Sequence, residues 1–130
     1  MKCYILRLKP GQDLKEERES FTIKNKIKAG FILTCVGSLS KACLRLADEY
    51  VKYFNKKFEI VSLTGTLSKD GVHLHLSISD NKGNTIGGHL KEGCLINTTA
   101  EIIIGCLENC LFTREFDSIT GFKELKVSKI

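Results

Sequence analysis

The sequence predicts an α+β fold: a mostly antiparallel β-sheet with one main helix packed on it. Three observations lead there. Runs rich in aliphatic and β-branched residues, at 3–8, 29–39, 58–67, 73–79 and 94–106, are separated by clusters of turn-forming residues. Only residues 13–28 combine helix-start chemistry with an apolar stripe at helical spacing. The composition, 42% hydrophobic and 27% charged over 130 residues with one proline, lies far from disorder and suits a single domain spanning 1–130.

Taken in order, residues 3–8 (Cys3 to Leu8) read as a first strand, ended by the breaker cluster Lys9-Pro10-Gly11. Asp13 with Glu16 three residues on fits a capping box, and the acidic first turn suits the helix dipole. Leu14, Phe21 and Ile27 then form a narrow apolar stripe on an otherwise solvated helix that ends before Ala29-Gly30. Residues 29–39 are apolar on both alternating sets, which marks a central strand covered on two sides. Residues 42–46 are expected to be its hairpin partner across a turn at 37–41, a short helix being the alternative, and 48–57 to be a polar connection. Residues 58–67 form another strand, and Lys69-Asp70-Gly71 turns the chain into a hairpin.

That hairpin carries all three histidines of the chain. From His73 to Ser79 polar and apolar residues alternate, the period of a strand with one wet and one dry face. Asn81-Lys82-Gly83 suits a three-residue loop closed by a left-handed glycine, which pairs Asp80 with Asn84. Counting back along both arms places Ile78 opposite Ile86 and His75 opposite His89. Directly opposed residues share a face, so His73, His75 and His89 stand together, with Leu74, Leu76, Ile78, Ile86 and Leu90 on the other side.

Two histidines at i and i+2 have Cα atoms about 7 Å apart, close enough for both rings to tilt onto one ion. The triad therefore reads as a site for a divalent metal, zinc being the usual occupant of three imidazoles. The bland alternative is a hydrogen-bonded polar face. Gly87-Gly88 lets the backbone approach closely or bulge, which bears directly on the register. A metal-dependent hydrolase would also need a general base, for which Glu59, Glu101, Asp80 and Glu115 are candidates. Glu59 on an apolar strand also reads as a buried structural carboxylate.

The remaining chain offers a tight turn at Lys91-Glu92-Gly93, an apolar run at 94–106 too short to span a membrane, and two strands at 111–116 and 122–127. Arg114 has Glu115 and Asp117 as nearby pairing partners. A net charge of +5 permits an acidic partner, but the lysines are scattered rather than clustered. Six cysteines without a Cys-x-x-Cys pair, most of them inside apolar runs, read as reduced, buried thiols acting as small hydrophobes. No charged-then-apolar leader opens the chain, so the expectation is a cytoplasmic protein with no membrane partner.

Six blocks in sequence resemble the plant and prokaryote conserved (PPC) domain family. They are Ala29-Gly30; Cys35-Val36-Gly37-Ser38-Leu39; Phe58-Glu59-Ile60 with Ser62-Leu63-Thr64-Gly65-Thr66; His73 with His75; Gly87-Gly88-His89-Leu90; and Thr120-Gly121-Phe122-Lys123-Glu124-Leu125. The resemblance runs from about Leu6 to Leu125. It implies a mainly antiparallel sheet with a packed helix and assembly as a homotrimer. In plants this domain follows AT-hook motifs in nuclear DNA-binding proteins and contacts transcription factors. This chain has no Arg-Gly-Arg-Pro core, so the minor-groove contact has no candidate residues. The plant partner-binding hexapeptide Gly-Arg-Phe-Glu-Ile-Leu aligns with residues 56–61, which makes Lys57, Phe58, Glu59 and Ile60 the implied partner-binding segment, with Phe58, Glu59 and Ile60 matching outright. The chain is most similar to the stand-alone bacterial and archaeal branch, with which a bound metal at the histidine hairpin is associated.

The resemblance therefore implies a regulatory or DNA-associated module, with itself and DNA or a transcription regulator as partners. The alternative is a small zinc-dependent enzyme of hydrolase type. A cupin-type metal protein is disfavoured, because Ser79 and Asp80 stand where that class has a glutamate after its second histidine.

Overall fold

In the computed structural model, which describes residues 1–130, the turn clusters separate β1 (Lys2–Leu8), α1 (Leu14–Lys24), β2 (Gly30–Arg45), β3 (Val51–Phe54), β4 (Phe58–Ser68), β5 (Gly71–Ser79), β6 (Thr85–Leu90), β7 (Leu95–Cys106), β8 (Cys110–Phe116) and β9 (Lys123–Lys129). The main sheet runs β1-β7-β2-β4-β5-β6, with β3 also on β2, and every pairing in it is antiparallel. β6 returns to β2 through Leu44↔Leu90 and Arg45↔His89, so β2, β4, β5 and β6 close a ring. β8 and β9 form a separate two-stranded sheet.

The long β2 corrects one expectation. Residues 37–41 are not a turn; the strand continues through register shifts between Gly37 and Leu39 and between Leu39 and Lys41 against β7. Bulges bend a strand without reversing it, and that bend lets one 16-residue strand serve β4 at one end and β6 at the other. Leu39, Ala42, Cys43 and Leu44 are all at most 2% exposed, so the segment stays in the core rather than forming a surface hairpin. The hairpin partner of Ala42 to Arg45 is β3, inside the stretch read as a polar connection.

The helix begins where expected. Asp13 Oδ1 accepts from the backbone N–H groups of Lys15 at 2.9 Å and Glu16 at 3.1 Å, and its Oδ2 accepts from Gly93 N–H at 2.6 Å. One aspartate thereby caps the helix and ties it to the loop before β7. The buried stripe differs from the expected one: it is Leu14, Arg18 and Thr22, at intervals of four residues, while Ile27 is buried in the loop after the helix. Arg18 lies on the face read as solvated, yet its side chain is fully buried against the Phe21 ring, 5.6 Å from its centroid. A long aliphatic stem packs like a hydrophobe; burial lowers the guanidinium pKa to about 10, which leaves it charged at neutral pH.

The core gathers Leu14, Leu39, Leu44, Leu67, Leu74, Leu76, Ile78, Leu90, Ile96 and Ile102 among others. Fully burying each such side chain contributes about 1.5–3 kcal/mol. A one-residue slip of β5 would turn Leu74, Leu76 and Ile78 outward, so burial specifies its register. All six cysteines are free; Cys35, Cys43 and Cys94 are buried, Cys106 and Cys110 are half-buried, and Cys3 is exposed. Burial pushes the Cys35 thiol up to about 11 and Cys94 up to about 12, so both stay protonated at neutral pH and act as small apolar groups. No helix of the chain is long and apolar enough to cross a membrane.

Candidate metal centre

The site is built from the β5–β6 turn upward. Gly83 takes a φ of 81°, and Asp80 N–H donates to the Asn84 carbonyl at 3.0 Å, closing the three-residue loop that spacing predicts. Asp80 Oδ1 accepts from the backbone N–H groups of Lys82 at 2.9 Å and Asn84 at 3.0 Å, which holds the loop in shape. The register follows as counted: Ile78 pairs with Ile86 and His75 with His89. No bulge forms at Gly87-Gly88. Instead, a Cβ at Gly88 would meet the Arg45 carbonyl oxygen at 2.8 Å, so this glycine lets β2 close on β6 beside His89.

His73, two residues before His75 on the same face, completes a triangle of rings. Centroids lie 5.1 Å apart for His73–His75, 5.1 Å for His73–His89 and 5.6 Å for His75–His89. One ligand nitrogen from each ring lies within 4.8 Å of the others. Nitrogens about 2.1 Å from a tetrahedral ion stand roughly 3.4 Å apart, a difference that small ring rotations close.

The electrostatics favour ligand chemistry. Burial, then Arg45, holds the His89 pKa down at about 4, and burial, then Arg114, lowers that of His73. Both imidazoles are therefore neutral at pH 7, the form that donates a lone pair. His89 Nδ1 is buried with no hydrogen-bond partner, an orphaned polar atom that a metal would satisfy. The residues fit a divalent ion, and His73 and His75 keep the face open to solvent.

Two of the three histidines, His73 and His89, also border a cavity of about 320 Å³. One wall is the sheet, including Arg45; the other is the β8–β9 hairpin, contributing Arg114, Phe122, Lys123 and Glu124. Arg114 fastens that hairpin: its N–H donates to Asp70 Oδ2 at 3.1 Å and its Nη2 to Thr66 Oγ1 at 2.7 Å. It does not pair with Glu115, which instead meets Lys126 at 3.0 Å.

None of the four carboxylates considered from sequence as a general base lines this cavity; Asp70 and Glu124 do. Asp80 is committed to the hairpin turn and to Lys56 at 3.2 Å. Glu101 is exposed on β7, and Glu59 is exposed rather than buried, because it alternates with the inward-facing Phe58 and Ile60. Asp70 has a signal in its turn position and Glu124 in the block Thr120 to Leu125 that carries the family resemblance, but neither signal places them beside the triad, since only tertiary docking brings β9 there. In the implied partner-binding segment, Phe58 is 3% and Ile60 6% exposed, and Lys57 and Glu59 face solvent beside a smaller cavity of about 150 Å³.

Fold and site together define a class of protein: a bent antiparallel sheet carrying a three-histidine face able to hold a metal. The chain belongs to the Plants and Prokaryotes Conserved (PCC) domain family, whose model matches residues 1–108. A hypothetical protein from Salmonella enterica superposes with a TM-score of 0.95 and 40% identity, over 98% of this chain and 94% of that one. A protein from Archaeoglobus fulgidus described as metal-containing gives 0.84 and 28%, over 95% and 92%. A Bacteroides thetaiotaomicron protein provisionally named as DNA-binding gives 0.87 over 95% and 91%, but at 21% identity that likeness shows the fold alone. The bifunctional protein GlmU of a Synechococcus strain is 50% identical over 131 residues, covering 100% of this chain and 21% of that protein. The chain thus spans about a fifth of the length of the curated relatives it matches.

Proposed function

We propose that residues 1–130 form one PCC-domain unit that works in the cytoplasm as a homotrimeric regulatory or DNA-associated interaction module, with His73, His75 and His89 holding a zinc ion. The observation that carries the metal reading is the convergence of three ligand nitrogens within 4.8 Å, together with the unpartnered His89 Nδ1. The description of the Archaeoglobus relative as metal-containing supports it. An accessory role is supported by the curated relatives, in which this segment is about a fifth of a bifunctional protein. The net charge of +5 is compatible with nucleic-acid contact. Partner contact would fall on the exposed Lys57 and Glu59, over the buried Phe58 and Ile60 that anchor their strand.

Metal analysis of the purified protein and of a His89→Ala variant tests the centre. One zinc per chain in the wild type and a stoichiometric loss in the variant is the expected result; negligible metal in both removes the site. Light scattering reads the trimer. A gel-shift titration without a phosphate-type salt slope would remove the DNA version of the module.

A second reading, a small zinc-dependent hydrolase, is favoured by one observation: His73 and His89 of the triad border a cavity that also holds the Asp70 and Glu124 carboxylates. In that reading the bound metal supplies Lewis-acid chemistry and Glu124 takes up a proton from water in the cavity. Its test is ester hydrolysis by the zinc-loaded protein that is lost in Glu124→Gln with zinc retained. Absence of turnover in the wild type leaves the interaction module.

A further inference from the structure

We infer that the cavity beside the histidine face is a binding site for a small metabolite bearing an oxyanion, a carboxylate or a phosphate ester, gripped by Arg45 and Arg114. At about 320 Å³ the cavity has the size of a small-molecule site at the lower end of the usual range. Five of its ten lining residues are charged, which suits a compact charged ligand rather than a lipid or an apolar chain.

The two arginines are placed by the same register that assembles the histidines. Arg45 on β2 is the cross-strand partner of His89. Arg114 donates to Thr66 Oγ1, and Thr66 on β4 is the cross-strand partner of His73. Each guanidinium thus stands next to one histidine, on opposite sides of the triad. Neither arginine, nor Lys123 on the facing hairpin, takes part in any of the chain's ion pairs. Two carboxylates also line the cavity, Asp70 accepting from the Arg114 backbone N–H and Glu124 from the Thr120 hydroxyl at 3.3 Å, so three cations stand against two carboxylates and the lining keeps a net positive charge. Three cations with free donors therefore face a half-enclosed space. A guanidinium fork matches the paired oxygens of carboxylate and phosphate. An ion on the triad would add to that positive charge. To that extent the inference builds on the metal reading, whereas the arginines stand without it.

Calorimetric titration of the metal-free and zinc-loaded protein with inorganic phosphate and with malonate, at constant ionic strength, tests the assignment. Saturable one-to-one binding of at least one probe is expected, tighter with zinc, and weakened tenfold or more by Arg45→Gln and by Arg114→Gln. The probe that binds more tightly distinguishes a phosphate ester from a carboxylate as the natural group. Because Arg114→Gln also loosens a hairpin contact, Lys123→Gln, at an exposed position, provides a further reading and should weaken binding with the melting temperature unchanged. No binding of either probe, or wild-type affinity in both Arg45→Gln and Lys123→Gln, overturns the inference. Metal content measured on the same samples separates the two readings. Zinc without oxyanion binding defeats this inference alone, and oxyanion binding without zinc defeats the metal centre alone.

Discussion

The β5–β6 hairpin commits one face to the core, where Leu74, Leu76, Ile78 and Leu90 are at most 2% exposed. The β8–β9 hairpin buries only Phe112, at 7%, and leaves Phe116, Phe122, Leu125 and Val127 at the surface. The first is paired on both sides, β5 to β4 and β6 to β2. The second meets the rest of the protein through polar contacts, among them Phe112 N–H to the Lys28 carbonyl and the two Arg114 bonds to Asp70 and Thr66. Both hairpins supply residues to one cavity. The contrast is between a wall whose geometry is set by burial and a wall that is hydrogen-bonded into place. The second kind opens at lower free energy, because little apolar surface must be exposed to release it.

The largest expected effect separates the two walls by stability. Leu76→Ala, in the core, should cost about 2–5 kcal/mol in chemical denaturation, while Leu125→Ala on β9 should stay within about 0.5 kcal/mol. Equal costs would erase the distinction.

A second effect is pH dependence on the rigid wall. Folding holds the His89 pKa at about 4, against an ordinary 6.5, so between those values the unfolded chain binds the extra proton. Stability of the metal-free protein should therefore be full above about pH 7 and fall as the pH drops toward 4, with His73 adding in the same direction. Thermal melts of wild type against His89→Asn isolate the contribution: the difference between them should change across that window and be constant above it.

The smallest effect concerns the docked wall. Asp70→Ala removes the acceptor for Arg114 N–H, and amide hydrogen exchange in β8–β9 should rise about tenfold while β5 and β6 amides keep their protection. A uniform rise across both hairpins would mean that the two walls open together.

How much of this was legible along the chain follows the same division. The histidine hairpin could be read residue by residue, because the loop Asn81-Lys82-Gly83 and the alternation from His73 to Ser79 are local, and local turn length sets register. The Asp13 cap was legible for the same reason. The path of β2 was not, since bulges at Gly37 and Leu39 look like a turn in one dimension and become a bend only when β7 and β4 lie alongside. Arg18 and Glu59 were misplaced as well, because which face of a helix or strand is covered depends on what packs against it.

By itself, then, the sequence determined that three histidines share the dry-backed face of one hairpin, and this follows from a strand period of two and a loop of three. Folding in three dimensions decided what surrounds them. Arg45 reaches His89 only because β2 bends far enough to close on β6. Arg114 and Glu124 reach the cavity only because a hairpin outside the main sheet docks on the β4–β5 turn. Contacts between residues 40 or more positions apart leave no periodic trace in the chain, so the triad was visible in the sequence and its charged pocket was not.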